Sequence, residues 1–482
     1  YCYFHSIQVQ ISMEKMSADS ATIFVGNIVH CNVDKTLTAF NGFIVVEKGK
    51  ITSIGSAQCV EEISQRLGLT KYVVTELLPS QFIIPGFADC HLHAPQFPNL
   101  GLGLDRPLLD WLSLYTFPLE KQYEDINFAR NVYKNVVLLN NLYNIKLNNI
   151  KCIFQRRTLL NGTTTACYFS SLHLESSMAL AEAIAQLGQR ALVGKVSMNM
   201  PNPAQYFNET DKELRDTETF LKLNDLIEPI ITPRFALSCD DDLMKKLGDL
   251  AEKYQCRIQT HVSENLAEVD YVKELFPKSS HYCDVYQKAG LLTDKCILAH
   301  AVHLKDEEFA LLAGKGVSIA HCPASNTRLQ SGLCPLRKLM ENGVTCGLGT
   351  DVSGGDSPSI MDAMRRCMDV STHIACLKGE TKDTKPVSWK EAFYLATLGG
   401  AKALSLDDKT GNFEEGKEFD ALIIDLHCQE SPVDLYKVPE EVASHQHSCC
   451  QSEITCLLQQ FVYLGDDRNI IKVFVKGKEI DT

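Results

Sequence analysis

The sequence predicts an α/β protein: a TIM-like (β/α)8 barrel with a small β-sandwich domain built from the N- and C-terminal segments. Three observations carry this. From residue 81 onward, short apolar strands alternate with helical segments, the pattern of a parallel sheet with crossover helices. Eight such units fit within about 300 residues, the usual scale of such a barrel. Both flanks read as strands, and two β-rich ends around a barrel are most simply paired with each other.

Taken in order, residues 21–78 alternate between Gly and Asn turns, as in Thr22-Ile23-Phe24-Val25-Gly26 and Gly42-Phe43-Ile44-Val45-Val46. The barrel strands are expected at Phe82–Asp89, Thr163–Phe169, Ala191–Met198, Glu228–Ala236, Cys256–Val262, Cys296–Ala301, Val317–His321 and Val344–Thr350. Helical stretches such as Ser177–Gly188, Asp240–Tyr254 and Asp306–Lys315 lie between them. A doubly wound open sheet is the competing arrangement, but it calls for a Gly-rich turn after the first strand, where this chain has His91-Leu92-His93. Asp420–Asp425 and Ile470–Val475 are strand-like again. The expected organisation is a barrel over 81–404 and a composite β-domain from 21–80 plus 405–482. Residues 1–20 are expected to be a disordered or non-native extension, with Met13 or Met16 as the natural start.

Composition narrows the function. The formal net charge of −13 argues against nucleic acid or an anionic membrane surface as partner. No apolar run approaches the roughly 20 residues of a membrane span, and Tyr1-Cys2-Tyr3-Phe4-His5-Ser6 does not read as a signal peptide. Nineteen scattered cysteines without zinc-finger spacing read as reduced thiols. The expected location is cytoplasmic.

The chemistry is concentrated at strand ends. His91 and His93 leave one face of the first strand, because side chains alternate. The fifth strand ends in His261, the sixth in His300, the seventh in His321, and the eighth in Gly349-Thr350-Asp351. In a barrel these ends converge on one mouth. A single strand-end histidine is more often structural; four strands ending in His and one in Asp form a joint pattern that packing does not explain. Imidazoles with one carboxylate suit Zn²⁺, or less well Fe²⁺, and bound Zn²⁺ lowers the pKa of its water to about 7. Glu264, three residues past His261, is placed to carry the proton. The lesser alternative is a carboxylate favoured at a helix N-terminus, and the two roles are compatible. Gly411–Lys417 has P-loop spacing, but Glu418 stands where Ser or Thr should be, so it reads as a turn. Neither HExxH nor the HxE…PCxxC pattern of cytidine-type deaminases occurs.

Together, His91-Leu92-His93, His261, His300 and Asp351 resemble the amidohydrolase superfamily. Longer strings resemble its guanine-deaminating members: Tyr115-Thr116-Phe117-Pro118, Asn161-Gly162-Thr163-Thr164-Thr165-Ala166-Cys167-Tyr168-Phe169, Gly188-Gln189-Arg190-Ala191, Ser318-Ile319-Ala320-His321-Cys322-Pro323 and Tyr463-Leu464-Gly465-Asp466-Asp467-Arg468-Asn469-Ile470. The likeness covers most of residues 20–480. It implies one Zn²⁺ per subunit held by His91, His93, His261 and Asp351, with His300 orienting the water rather than binding the metal. It implies purine catabolism: zinc-bound hydroxide attacks C2 of guanine and releases xanthine and ammonia, with Glu264, His300 and Asp351 catalytic. Gln96, Arg234, Phe235 and His261 are the implied substrate contacts, and a homodimer the implied assembly. The alternatives are a deaminase of another heterocycle, cytosine- or triazine-like, or a non-catalytic barrel homologue.

Two stretches depart from the resemblance. Residues 138–155 are an insertion rich in Asn, Ile, Lys and Leu; as helix they would add about 27 Å at 1.5 Å per residue, too much for one barrel layer. They are expected to loop out or project, and they read as a gene-model or read-through artefact. Residues 436–460 also diverge.

Overall fold

The computed structural model describes residues 20–56, 59–134, 153–222, 227–379, 385–434 and 452–480. The expected extension up to residue 19, the insertion as far as residue 152, and residues 436–451 of the divergent stretch lie outside them. The rest of that stretch enters the helix Glu453–Leu464, whose N-terminus is capped by Ser452 and whose Leu458, Phe461 and Val462 are buried.

Eight parallel strands form the barrel: β1 (Phe87–His93), β2 (Thr163–Phe169), β3 (Arg190–Gly194), β4 (Ile227–Pro233), β5 (Arg257–Val262), β6 (Cys296–His300), β7 (Ser318–His321) and β8 (Thr345–Leu348). Each pairs with the next in chain order. Helices cover the outside, so these strands are buried on both faces and read as continuous apolar runs. The barrel closes at its C-terminal rim: Asp351 N–H donates to His91 O and His93 N–H to Val352 O, both at 2.8 Å. Asp89 reinforces the seam, accepting from the Thr350 amide at 3.0 Å, the Thr350 hydroxyl at 2.5 Å and the His91 amide at 3.2 Å.

The two ends of the chain build one mixed eight-stranded sheet. Gln81–Pro85 sits inside it, parallel to Ala21–Cys31 and antiparallel to Ala421–Asp425. The single strand expected at Phe82–Asp89 is therefore two strands in two sheets. They look like one in sequence because both are buried. The break is at Gly86, whose amide donates to Asp420 O at 3.0 Å; a Cβ there would meet Thr164 Oγ1 at 2.1 Å. The strand expected at Ala191–Met198 is likewise interrupted at Lys195, with Val196–Ser197 pairing separately on Thr232–Pro233.

Arg190, the first residue of β3, ties barrel to outer sheet. Its buried guanidinium bonds Asp420 twice, at 2.9 and 3.1 Å, and also Glu418. At the far end of β7, His321 is fully buried with neither ring nitrogen hydrogen-bonded, and burial drives its pKa down to about 3.

Arg190→Met should therefore cost about 3–5 kcal/mol, because it strands Asp420 as a buried unpaired charge; thermal unfolding checks this. Lys212→Ala, which breaks a solvent-exposed pair with Asp216, should cost under about 0.5 kcal/mol. His321 remains neutral in the folded chain while the unfolded chain takes up a proton below the ordinary histidine pKa of 6.5. Its burial thus removes stability as pH falls below that value, by up to about 1.4 kcal/mol per pH unit. Urea unfolding of His321→Asn should show a correspondingly shallower acid loss.

Candidate active site

Alternation along β1 sends His91 and His93 to the same side, where they meet His261 from β5 and Asp351 just past β8. His91 Nε2 and His93 Nε2 lie 3.3 and 3.5 Å from Asp351 Oδ1, and His93 Nε2 lies 3.2 Å from His261 Nε2. All four are buried. Nδ1 of His261 is 2.5 Å from the Arg234 carbonyl; donating there, the ring turns an Nε2 lone pair into the cluster. His91 Nε2 is buried without an aligned hydrogen bond. Two groupings with atoms within 4.8 Å, His91–His93–Asp351 and His91–His261–His300, share His91. Lone pairs from three imidazoles and one carboxylate, lacking hydrogen-bond donors, fit a divalent cation of the zinc type. Burial lowers the pKa of His91, and of His93 and His261 further, which keeps them unprotonated and available as ligands. Burial acts to raise the Asp351 carboxyl, but its contacts with His91 outweigh this and hold it below the ordinary carboxylate range.

His300 and Glu264 stand beside the cluster. His300 Nε2 is 3.3 Å from Glu264 Oε2 and 3.9 Å from Asp351 Oδ2. Its Nδ1 is 2.8 Å from Asn326 Oδ1, so the neutral tautomer that donates to Asn326 offers Nε2 as an acceptor. Burial, with the negative neighbours Asp351 and Glu268, pushes the Glu264 carboxyl well above its ordinary pKa. Ser331 donates to its other oxygen at 3.3 Å. Ser263, His300, Ala301 and Asp351 all have positive φ (47°, 75°, 53° and 48°), the kind of backbone strain that collects at functional sites.

A pocket of about 370 Å³, mouth included, opens onto this cluster. His93, Gln96, Arg234, Phe235, His261, Glu264, His300 and Asp351 line it, with Leu108, Trp111, Leu112 and Leu329 as its apolar wall. Of the residues given a metal, catalytic or substrate role by the resemblance, all but His91 border this one space. His321 is in neither metal-type grouping. Lys195 is buried against Glu213.

Sequence reasoning missed Glu120, Asn326 and Ser331. Glu120 grips Arg234 and accepts from Gln96 at 2.9 Å. It follows directly on the Tyr115–Pro118 string and Leu119, but nothing periodic marks it. Asn326 and Ser331 sit on and just beyond the short helix after β7, and only three-dimensional proximity reveals them.

The model of the amidohydrolase family matches residues 82–480. Guanine deaminase of Rattus norvegicus is 41% identical over 95% of this chain and 96% of its own length. That of Dictyostelium discoideum is 42% identical over 83% of each. The crystal structure of guanine deaminase from C. acetobutylicum, with guanine bound in its active site, superposes with a TM-score of 0.80 at 34% identity, covering 96% of this chain and all of that one. The chain belongs to the amidohydrolase family, and it resembles that family's guanine deaminases along nearly its whole length.

Proposed function

We propose that the chain hydrolyses guanine to xanthine and ammonia, with one Zn²⁺ per subunit held by His91, His93, His261 and Asp351. The observation that carries this is a single pocket joining a purine-reading wall to a proton-handling one. Arg234 offers donors suited to a C6 carbonyl and its neighbouring ring nitrogen, as Arg does toward guanine elsewhere. Phe235 provides an aromatic face, and Gln96 a further polar contact. Adenine, lacking the carbonyl, would leave a buried donor of Arg234 unpaired, a mismatch that polar sites reject strongly.

When bound, zinc supplies a water acidic enough to be a nucleophile near neutral pH. Glu264 takes one proton from the attacking water and delivers it to the ring nitrogen beside C2, then takes the second from the new C2 hydroxyl and delivers it to the amine, which leaves as ammonia as the C2 carbonyl forms. Its raised pKa suits both directions of transfer. His300 accepts from the water through Nε2 and orients it, with Asn326 fixing the ring. Asp351 Oδ2, 3.9 Å from that nitrogen, shares the same hydrogen, the one left on the water oxygen after Glu264 takes its proton. Among the described residues no helix is long and apolar enough to cross a membrane. A cytoplasmic homodimer completes the reading; size-exclusion chromatography with light scattering tests the dimer.

Glu264→Gln should lower kcat for ammonia release from guanine by about 10²–10⁴ while zinc content stays at wild-type level; full activity would overturn the assignment. Stripping metal with a chelator should abolish ammonia release, and one equivalent of Zn²⁺ per subunit should restore it, as read by metal analysis alongside the assay.

A further inference from the structure

Glu120 is fully buried and is not part of the pocket lining, yet both its oxygens are committed to groups that are. Arg234 reaches it through both terminal nitrogens, Nη1 to Oε2 and Nη2 to Oε1, the latter at 3.0 Å. Gln96 Nε2 donates to Oε1 at 2.9 Å, and the Ser353 amide donates to Gln96 Oε1 at 3.3 Å. The Phe117 ring lies 5.0 Å from the guanidinium carbon. We propose that Glu120 is the positioning residue that makes this pocket selective for purines carrying a C6 carbonyl, because one carboxylate fixes the orientation of both Arg234 and Gln96.

The reason lies in counting donors. The forked grip uses one N–H on each terminal nitrogen of Arg234 and leaves the remaining N–H groups for the pocket. Glu120 accepts only, so the Gln96 amide cannot turn over without setting its oxygen against a carboxylate. The amide therefore keeps its NH₂ toward Glu120, with one N–H to spare, and its oxygen toward Ser353. Both side chains then offer donors, and the matching ligand edge presents acceptors: a carbonyl beside an unprotonated ring nitrogen. Glu120 touches no ligand; it acts through its two neighbours.

This inference rests on the proposed deaminase activity, and one experiment separates the two. Ammonia release is measured with guanine and with 2-aminopurine, which keeps the C2 amine but lacks the C6 carbonyl. A wild-type enzyme inactive on guanine would sink the activity itself. Given an active enzyme, Glu120→Gln should lower kcat/KM for guanine roughly 100-fold, the scale of a misplaced contact, mainly through KM. For 2-aminopurine the change should stay within about threefold, so the preference collapses. Glu120→Asp keeps the charge against Arg234 but is one methylene too short to hold both neighbours. It guards against misfolding of the first variant and should lose at least roughly tenfold of the preference. A wild-type preference in either folded variant, or an equal loss of kcat on both substrates, would overturn the proposal.

Discussion

The constraint on which the site depends is closure of the barrel between its first and last strands. His91 and His93 belong to β1 and Asp351 follows β8, so three of the four candidate ligands straddle the seam. Two backbone hydrogen bonds cross there, Asp351 to His91 and His93 to Val352, and the Asp89 carboxylate gathers the Thr350 amide and hydroxyl beside them. Asp89 is fully buried, and burial raises its pKa to about 6 against the pull of those donors. The ligands are spaced by the same bonds that shut the cylinder, so site geometry and barrel closure cannot vary independently. The φ of 48° at Asp351 is the local strain of leaving β8 while turning a carboxylate toward β1.

Around that seam the polar groups form two sets. Glu264, His300, Ser331, Asn326 and Glu268 make a chain on one side, suited to holding and moving a proton. Glu120, Arg234, Gln96 and Ser353 make a chain on the other, suited to presenting donors in fixed directions. Both are buried, where hydrogen bonds are strong and an unmatched group is expensive. His261 joins them: its ring faces the metal-type cluster while its Nδ1 meets the carbonyl of Arg234.

Much of this was legible in sequence because strand ends converge in a barrel, so residues far apart such as His91, His261, His300 and Asp351 could be grouped before any coordinates. Gln96 and Arg234 were legible through resemblance. Illegible were the residues that act at one remove. Glu120, Asn326 and Ser331 lie in irregular or short helical segments, where no period reports which way a side chain points. The crossing at Gly86 was hidden for another reason: two buried strands in succession have the same hydrophobic signature as one, and only the close approach to Thr164 explains why glycine separates them.

The outer sheet gives the chain a long wait during synthesis. Its strand Gln81–Pro85 takes Ala421–Asp425 as one neighbour, and Arg190 finds Asp420 some 230 residues later. While the ribosome makes the intervening barrel, that strand presents an unpaired apolar edge, the kind of surface that recruits other chains. The N-terminal strands must therefore be shielded, by chaperones or by their own hairpins, until the last segment of the polypeptide arrives to complete them.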